Sequence, residues 1–154
     1  MALSFVAWGV VTSRYIWPRL DALDRREALR PILILHGFRF VGMAFLVPGV
    51  VSPDLPQAFA VPAAYGDVAA ALLALVALAA LRTPAGLGLV WLFNLWGTLD
   101  LLYAFYQGLL GVGVPPGSLR AAFFIPTLLV PLLLITHALA FRILVRGAGQ
   151  AGSG

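Results

Sequence analysis

Cysteine is absent from the 154-residue chain, which excludes disulfides, thiolate metal sites and thiol redox chemistry within it. Lysine is absent as well, so all ten basic residues are arginines. A GC-rich coding bias explains that choice more simply than function does. Charge of either sign is scarce: 10% of the residues, against about 25% in a soluble domain. There is no Gly-rich phosphate loop, no His-Glu-x-x-His helix and no acidic cluster, so no metal site is expected. Ser4, Ser13, Ser52, Ser118 and Ser153 fall near span ends or in loops, which gives a Ser-His-Asp hydrolase no support. No segment repeats the arginines of a voltage sensor.

What fills the chain is apolar: 62% hydrophobic residues and a mean hydropathy of +0.99. A single buried core of this size cannot absorb that excess, so lipid must solvate much of the surface. The net charge of +4 does not indicate nucleic acid, because the arginines stand in short segments beside apolar runs, which is a topology signal.

The pattern predicts an all-α integral membrane protein, a five-transmembrane-helix bundle with a short first helix and a four-helix core. The spans are about 2–17, 31–51, 62–81, 87–110 and 119–144. They form one domain over 1–147, followed by a Gly-rich tail, 148–154, expected to be disordered. The first run has no basic residue ahead of it and no small-residue cleavage site after it, unlike a signal peptide. Residues 18–30 are the only charge-dense stretch and suit an interfacial helix or a solvated linker. Ser52-Pro53-Asp54-Leu55-Pro56 and Arg82-Thr83-Pro84-Ala85-Gly86 break the pattern, and Pro62 suits the first turn of the third helix. Arg14, Arg19, Arg25, Arg26, Arg30, Arg82, Arg142 and Arg146 fall on one side of this arrangement and only Arg120 on the other. That asymmetry is expected to place the N-terminus outside and the C-terminus in the cytoplasm.

Ionisable groups inside spans are costly and point to function. The intramembrane polar cluster comprises Arg39, Asp67, Asn94, Asp100 and His137. Counting a rise of about 1.5 Å per residue from the cytoplasmic edge puts Arg39 roughly 12 Å deep and Asp100 about 20 Å. Arg39 is expected to pair with Asp100, with Asp67 as a further partner, either as a structural salt bridge or as a ligand-binding or proton-handling site. His36 and His137 lie at similar depth near the same edge, a spacing compatible with two axial ligands of haem b. Gly97 permits close helix approach beside Asn94 and Asp100.

Phe38-Arg39, Gly42-x-x-Phe45-Leu46, Pro56-x-x-Phe59-Ala60-x-Pro62-Ala63-x-x-Gly66-Asp67, Asn94-x-x-Gly97-x-x-Asp100-Leu101 and Pro126-x-x-x-x-Pro131 ahead of His137 form a pattern over residues 38–142. It resembles an uncharacterised group of small bacterial integral membrane proteins, loosely like the DoxX-type proteins in helix layout. The resemblance implies a fold, candidate positions and a bacterial inner-membrane localisation, and no activity. His36 and the first helix lie outside it.

These observations favour a small inner-membrane module that binds an apolar ligand or docks as an accessory subunit on a membrane complex. Its partners would be membrane lipids, quinone, pigment or other membrane subunits, with oligomers conceivable. The alternatives are a membrane redox or proton-transfer enzyme, including a b-type haem protein, or a proton-coupled transporter using the Arg/Asp/Asn/His set. The balance leans away from an enzyme.

Overall fold

The computed structural model describes residues 1–146 and consists of helices; the expected tail over 148–154 lies outside the described residues. Six α-helices run in chain order: α1 (Ala2–Val11), α2 (Trp17–Asp21), α3 (Arg25–His36), α4 (Gln57–Ala79), α5 (Gly86–Tyr106) and α6 (Val130–Arg146). Several continue as other helix types, so the membrane-length units are longer. Among the described residues, four helices are long and apolar enough to cross a membrane: Arg25–Leu46, Gln57–Ala79, Gly86–Gly111 and Ile125–Arg146. This is the signature of a multi-pass membrane protein.

The expected count of five spans is not supported. The apolar part of the first helix, α1, has 10 residues and covers about 15 Å of a hydrocarbon layer about 30 Å thick. Beyond it Ser13, Arg14, Tyr15, Pro18 and Arg19 dilute the hydropathy. The helix instead lies parallel to α6 and along it. Trp8 donates its indole N–H to the Leu128 carbonyl at 3.1 Å, Trp17 lies under the Arg142 guanidinium at 3.9 Å, and Asp21 pairs with Arg146.

Two further boundaries differ from expectation for local reasons. The charge-dense stretch does not end at Pro31 but supplies the start of α3. The Asp24 carboxylate accepts the Arg26 and Glu27 N–H groups at 2.9 and 3.2 Å, an N-cap that lets the helix begin six residues earlier. Helix α4 begins at Gln57, directly after Pro56, so Pro62 sits inside it rather than in its first turn.

Proline accounts for two π-helical turns. Thr12–Ile16 and Ile125–Leu129 each stand just ahead of an X-Pro pair, Trp17-Pro18 and Val130-Pro131. A proline ring inside a helix clashes with the carbonyl four residues back. Widening the preceding turn to five-residue hydrogen bonds, Trp17 N–H to Thr12 O and Val130 N–H to Ile125 O, relieves that clash without breaking the helix.

Helix α3 passes into a 3₁₀ helix over Gly37–Leu46, far longer than the usual few residues. Its period of three brings every third side chain onto one face, and His36, Arg39, Gly42 and Phe45 are the buried ones. This stripe faces the alanine-rich α4, whose buried Ala60, Ala63, Ala64, Ala70, Ala71, Ala74 and Ala77 let its neighbours come close. Arg26 holds the turn between α4 and α5 by donating to the Leu81 and Thr83 carbonyls.

Two apolar clusters divide the bundle. One, including Leu29, Leu33, Ala77, Phe93 and Ile143, lies toward the arginine-rich end. The other, including Phe45, Phe59, Ala63, Leu119 and Ile125, lies toward the opposite end. There, Ser52 N–H donates to Ser118 O and Ala121 N–H to Val50 O, tying the two loops together.

Candidate functional site

Between the apolar clusters lies a polar layer made by all four long helices. The Arg39 side chain is completely buried at its centre. Its Nε donates to Asp67 Oδ1 and its Nη2 to Asp100 Oδ2, both at 2.7 Å. Nη1 donates to the Gly97 carbonyl at 3.2 Å and faces His137 Nε2 at 3.3 Å. Four of the five guanidinium N–H groups are thereby used. The structure thus makes Asp67 a partner as close as Asp100, not a secondary one.

The depths explain the meeting. Counted from Pro31, Arg39 is about 12 Å deep; counted from the true start at Arg25, it is about 21 Å deep. Asp100, counted from Gly86, is also about 21 Å deep. A lone charge at such depth costs at least about 2.5–3.5 kcal/mol, so the three groups stand together.

Glycines set the approach distances. A Cβ at Gly42 would overlap the Asp67 carboxylate, and one at Gly66 the Asp100 carboxylate. At Gly97 it would lie 2.6 Å from His137 Cε1 and 2.7 Å from Arg39 Nη1.

The layer extends toward the arginine-rich end through two histidines. His137 Nδ1 meets Asn94 Oδ1 at 2.7 Å, while Asn94 Nδ2 donates to the His137 carbonyl at 3.3 Å. Asn94 Oδ1 can only accept, so the ring proton sits on Nδ1 and Nε2 offers its lone pair to Arg39. His36 Nε2 lies 2.9 Å from Thr136 Oγ1. That hydroxyl is also 3.0 Å from the Leu132 and Leu133 carbonyls; donating to them, it accepts the His36 Nε2–H. His36 Nδ1 is left buried without a partner.

The two imidazoles are packed against each other, 4.2 Å between centroids, and both against Phe93. A porphyrin would have to lie between two axial imidazoles, and rings this close leave no room for one. The arrangement does not fit haem b on His36 and His137.

On the other side of the ion cluster, toward the tied loops, is a cavity of about 170 Å³. Its walls are apolar, with Phe45, Phe59, Ala104, Leu119 and Phe123 among them, and Asp67 and Asp100 form its polar floor. Phe105, Leu109 and Phe123 line it and are also exposed on the bundle surface, so it opens toward the lipid-facing side. Sequence reading identified the five polar positions and missed this cavity, along with Thr136 and Phe93. Only Gly42, Gly66 and Gly97, each opposite a charged or imidazole side chain, signal the close packing behind it.

The model of a family described as a domain of unknown function (DUF8737) matches residues 1–145. The match includes the first helix, which the resemblance read from the sequence left out. No curated protein and no solved structure matches the chain.

Proposed function

We propose that this chain, which belongs to the family described as domain of unknown function DUF8737, is a small membrane-embedded module that holds an apolar ligand. The ligand lies in the cavity between α4, α5 and the Ile125–Leu129 turn, with a small polar head on Asp67 and Asp100. The observation that carries this reading is the cavity itself: apolar walls, an opening toward lipid, and a polar floor limited to two carboxylates. Binding sites for small molecules combine an apolar lining with a few placed polar groups in this way. The cavity volume is close to that of engineered apolar cavities of about 150 Å³ that take up benzene. A ring or the end of a chain therefore fits, with the rest extending into lipid.

The same proposal places the arginine-rich end in the cytoplasm of a bacterial inner membrane, because eight arginines lie at that end and only Arg120 at the other. Met1 lines the cavity, at the end of the bundle away from those arginines, which supports an outside N-terminus within this reading. The loose DoxX-like layout belongs to this reading too.

Native mass spectrometry of protein extracted from its own membrane tests the idea. A bound adduct is expected, and Ala104→Phe, which fills the cavity, should lose it. A ligand-free wild type would overturn the proposal. The connected chain Asp100–Arg39–His137–Asn94 favours a second reading, proton transfer from the cavity inward. Proteoliposomes that carry no proton flux, with or without Asp100→Asn, would exclude it.

A further inference from the structure

Resting on that ligand-binding reading, we infer that the head of the ligand is a cation, an ammonium-type group on an apolar chain or ring. The polar layer contains one guanidinium and two carboxylates, and both histidines have hydrogen-bond patterns of the neutral ring. If both carboxylates are ionised, the cluster carries one negative charge in excess. Among the described residues, Asp67 and Asp100 form no ion pair except those with Arg39.

The position of the charges matters as much as their sum. Arg39 has no exposed side-chain surface, while the Asp67 and Asp100 side chains keep 11% and 12% of theirs. The carboxylates therefore stand between the guanidinium and the cavity. Arg39 has already spent four of its donors on Asp67, Asp100, Gly97 and His137. The one hydroxyl in the wall, Thr127 Oγ1, donates back to the Phe123 carbonyl. Met1 also lines the cavity, but its terminal amine forms no ion pair with either aspartate; no lining side chain offers a free donor, and the floor consists of carboxylate oxygens, which when ionised only accept. Such a site rejects an anionic head by repulsion and leaves a ketone or ether head without a donor. It takes a donor, and it takes a positively charged donor best, because the cation also removes the excess charge.

Three photoreactive probes with the same diazirine-bearing decyl chain separate the possibilities: a primary amine, an alcohol and a carboxylate. Each is applied to the full chain in phosphatidylcholine nanodiscs. Labelling of cavity peptides, around Phe59 and Phe123, is normalised to that of the lipid-exposed Ala2–Val11 helix. The amine should label the cavity about tenfold more than the alcohol, as expected when a neutral hydrogen bond becomes charge-assisted. The carboxylate should not rise above the lipid-exposed control. Asp100→Asn should remove the preference for the amine while keeping the labelling by the alcohol; Asp67→Asn serves if that variant does not fold, and the wild-type comparison stands without either. Equal labelling by amine and alcohol, or an amine preference that survives Asp100→Asn, would overturn the cationic head and leave the apolar-ligand reading in place. Absence of cavity labelling by all three probes would sink both.

Discussion

Because Arg39 bridges Asp67 and Asp100 at 2.7 Å each, replacing it strands two carboxylates, whereas replacing either aspartate leaves it one partner. Arg39→Met should therefore destabilise by about 3–5 kcal/mol, the cost of leaving buried charge uncompensated. Asp67→Asn or Asp100→Asn should cost about 1–3 kcal/mol. Combining all three should recover part of the Arg39→Met loss, since neighbours in one network are not additive. Reversible unfolding in mixed micelles gives the ranking, and an Arg39→Met variant as stable as wild type would show that the cluster is not structural. Gly97 supplies a second comparison within one helix. Gly97→Ala pushes a methyl into His137 and Arg39, while a Cβ at Gly88 meets nothing within 4 Å. Overpacking should cost the first about 1–3 kcal/mol, whereas the second should gain up to about 1 kcal/mol from helix propensity. Equal effects would mean that α5 does not press against the ion cluster as described.

The elements that carry these residues owe their form to a few local signals. Asp24 caps α3 through two backbone N–H groups, so Asp24→Ala should lower stability by about 1 kcal/mol, visible in the same unfolding assay; no change would assign the helix start to tertiary packing alone. The 3₁₀ run Gly37–Leu46 sets the register of His36, Arg39 and Gly42. Its hydrogen bonds are intrinsically poorer than those of an α-helix. Amide exchange should accordingly be faster in Gly37–Leu46 than in the central turns of α4, by more than the lower burial of the 3₁₀ run accounts for. Protection equal to that of α4 would argue that the segment is α-helical in the membrane. A search for a 3.6-residue period could not have found this stripe, since residues at 36, 39, 42 and 45 drift around an α-helix and align only with three residues per turn.

At the scale of the molecule, the arginine asymmetry sets the proposed orientation, and the lack of cysteine makes it directly testable. Single replacements Thr83→Cys, exposed in the turn after α4, and Gly117→Cys, exposed in the 3₁₀ turn Pro116–Phe123 at the opposite end, should react differently with a membrane-impermeant maleimide in intact cells. Gly117→Cys should label and Thr83→Cys should label only after permeabilisation; the reverse pattern would invert the molecule.

The sequence by itself determined the solvent, the helical class and the polar positions, because each depends on one-dimensional quantities: hydropathy, charge spacing and breaker residues. It placed Arg39, Asp67, Asn94, Asp100 and His137 inside helices for the same reason. Which of them touch, and what surrounds them, was decided by tertiary structure. The Arg39 depth depended on where α3 begins, and its facing direction on the switch to a 3₁₀ helix. The distance between the two histidines, which leaves no space for a porphyrin, came from the packing of α3 and its 3₁₀ extension against α6. The cavity is the clearest case: its apolar walls come from Phe45 of the 3₁₀ extension, from α4 and α5, and from the segment 114–130. Empty space beside a carboxylate is a property of several segments meeting, so it has no signature in any one of them.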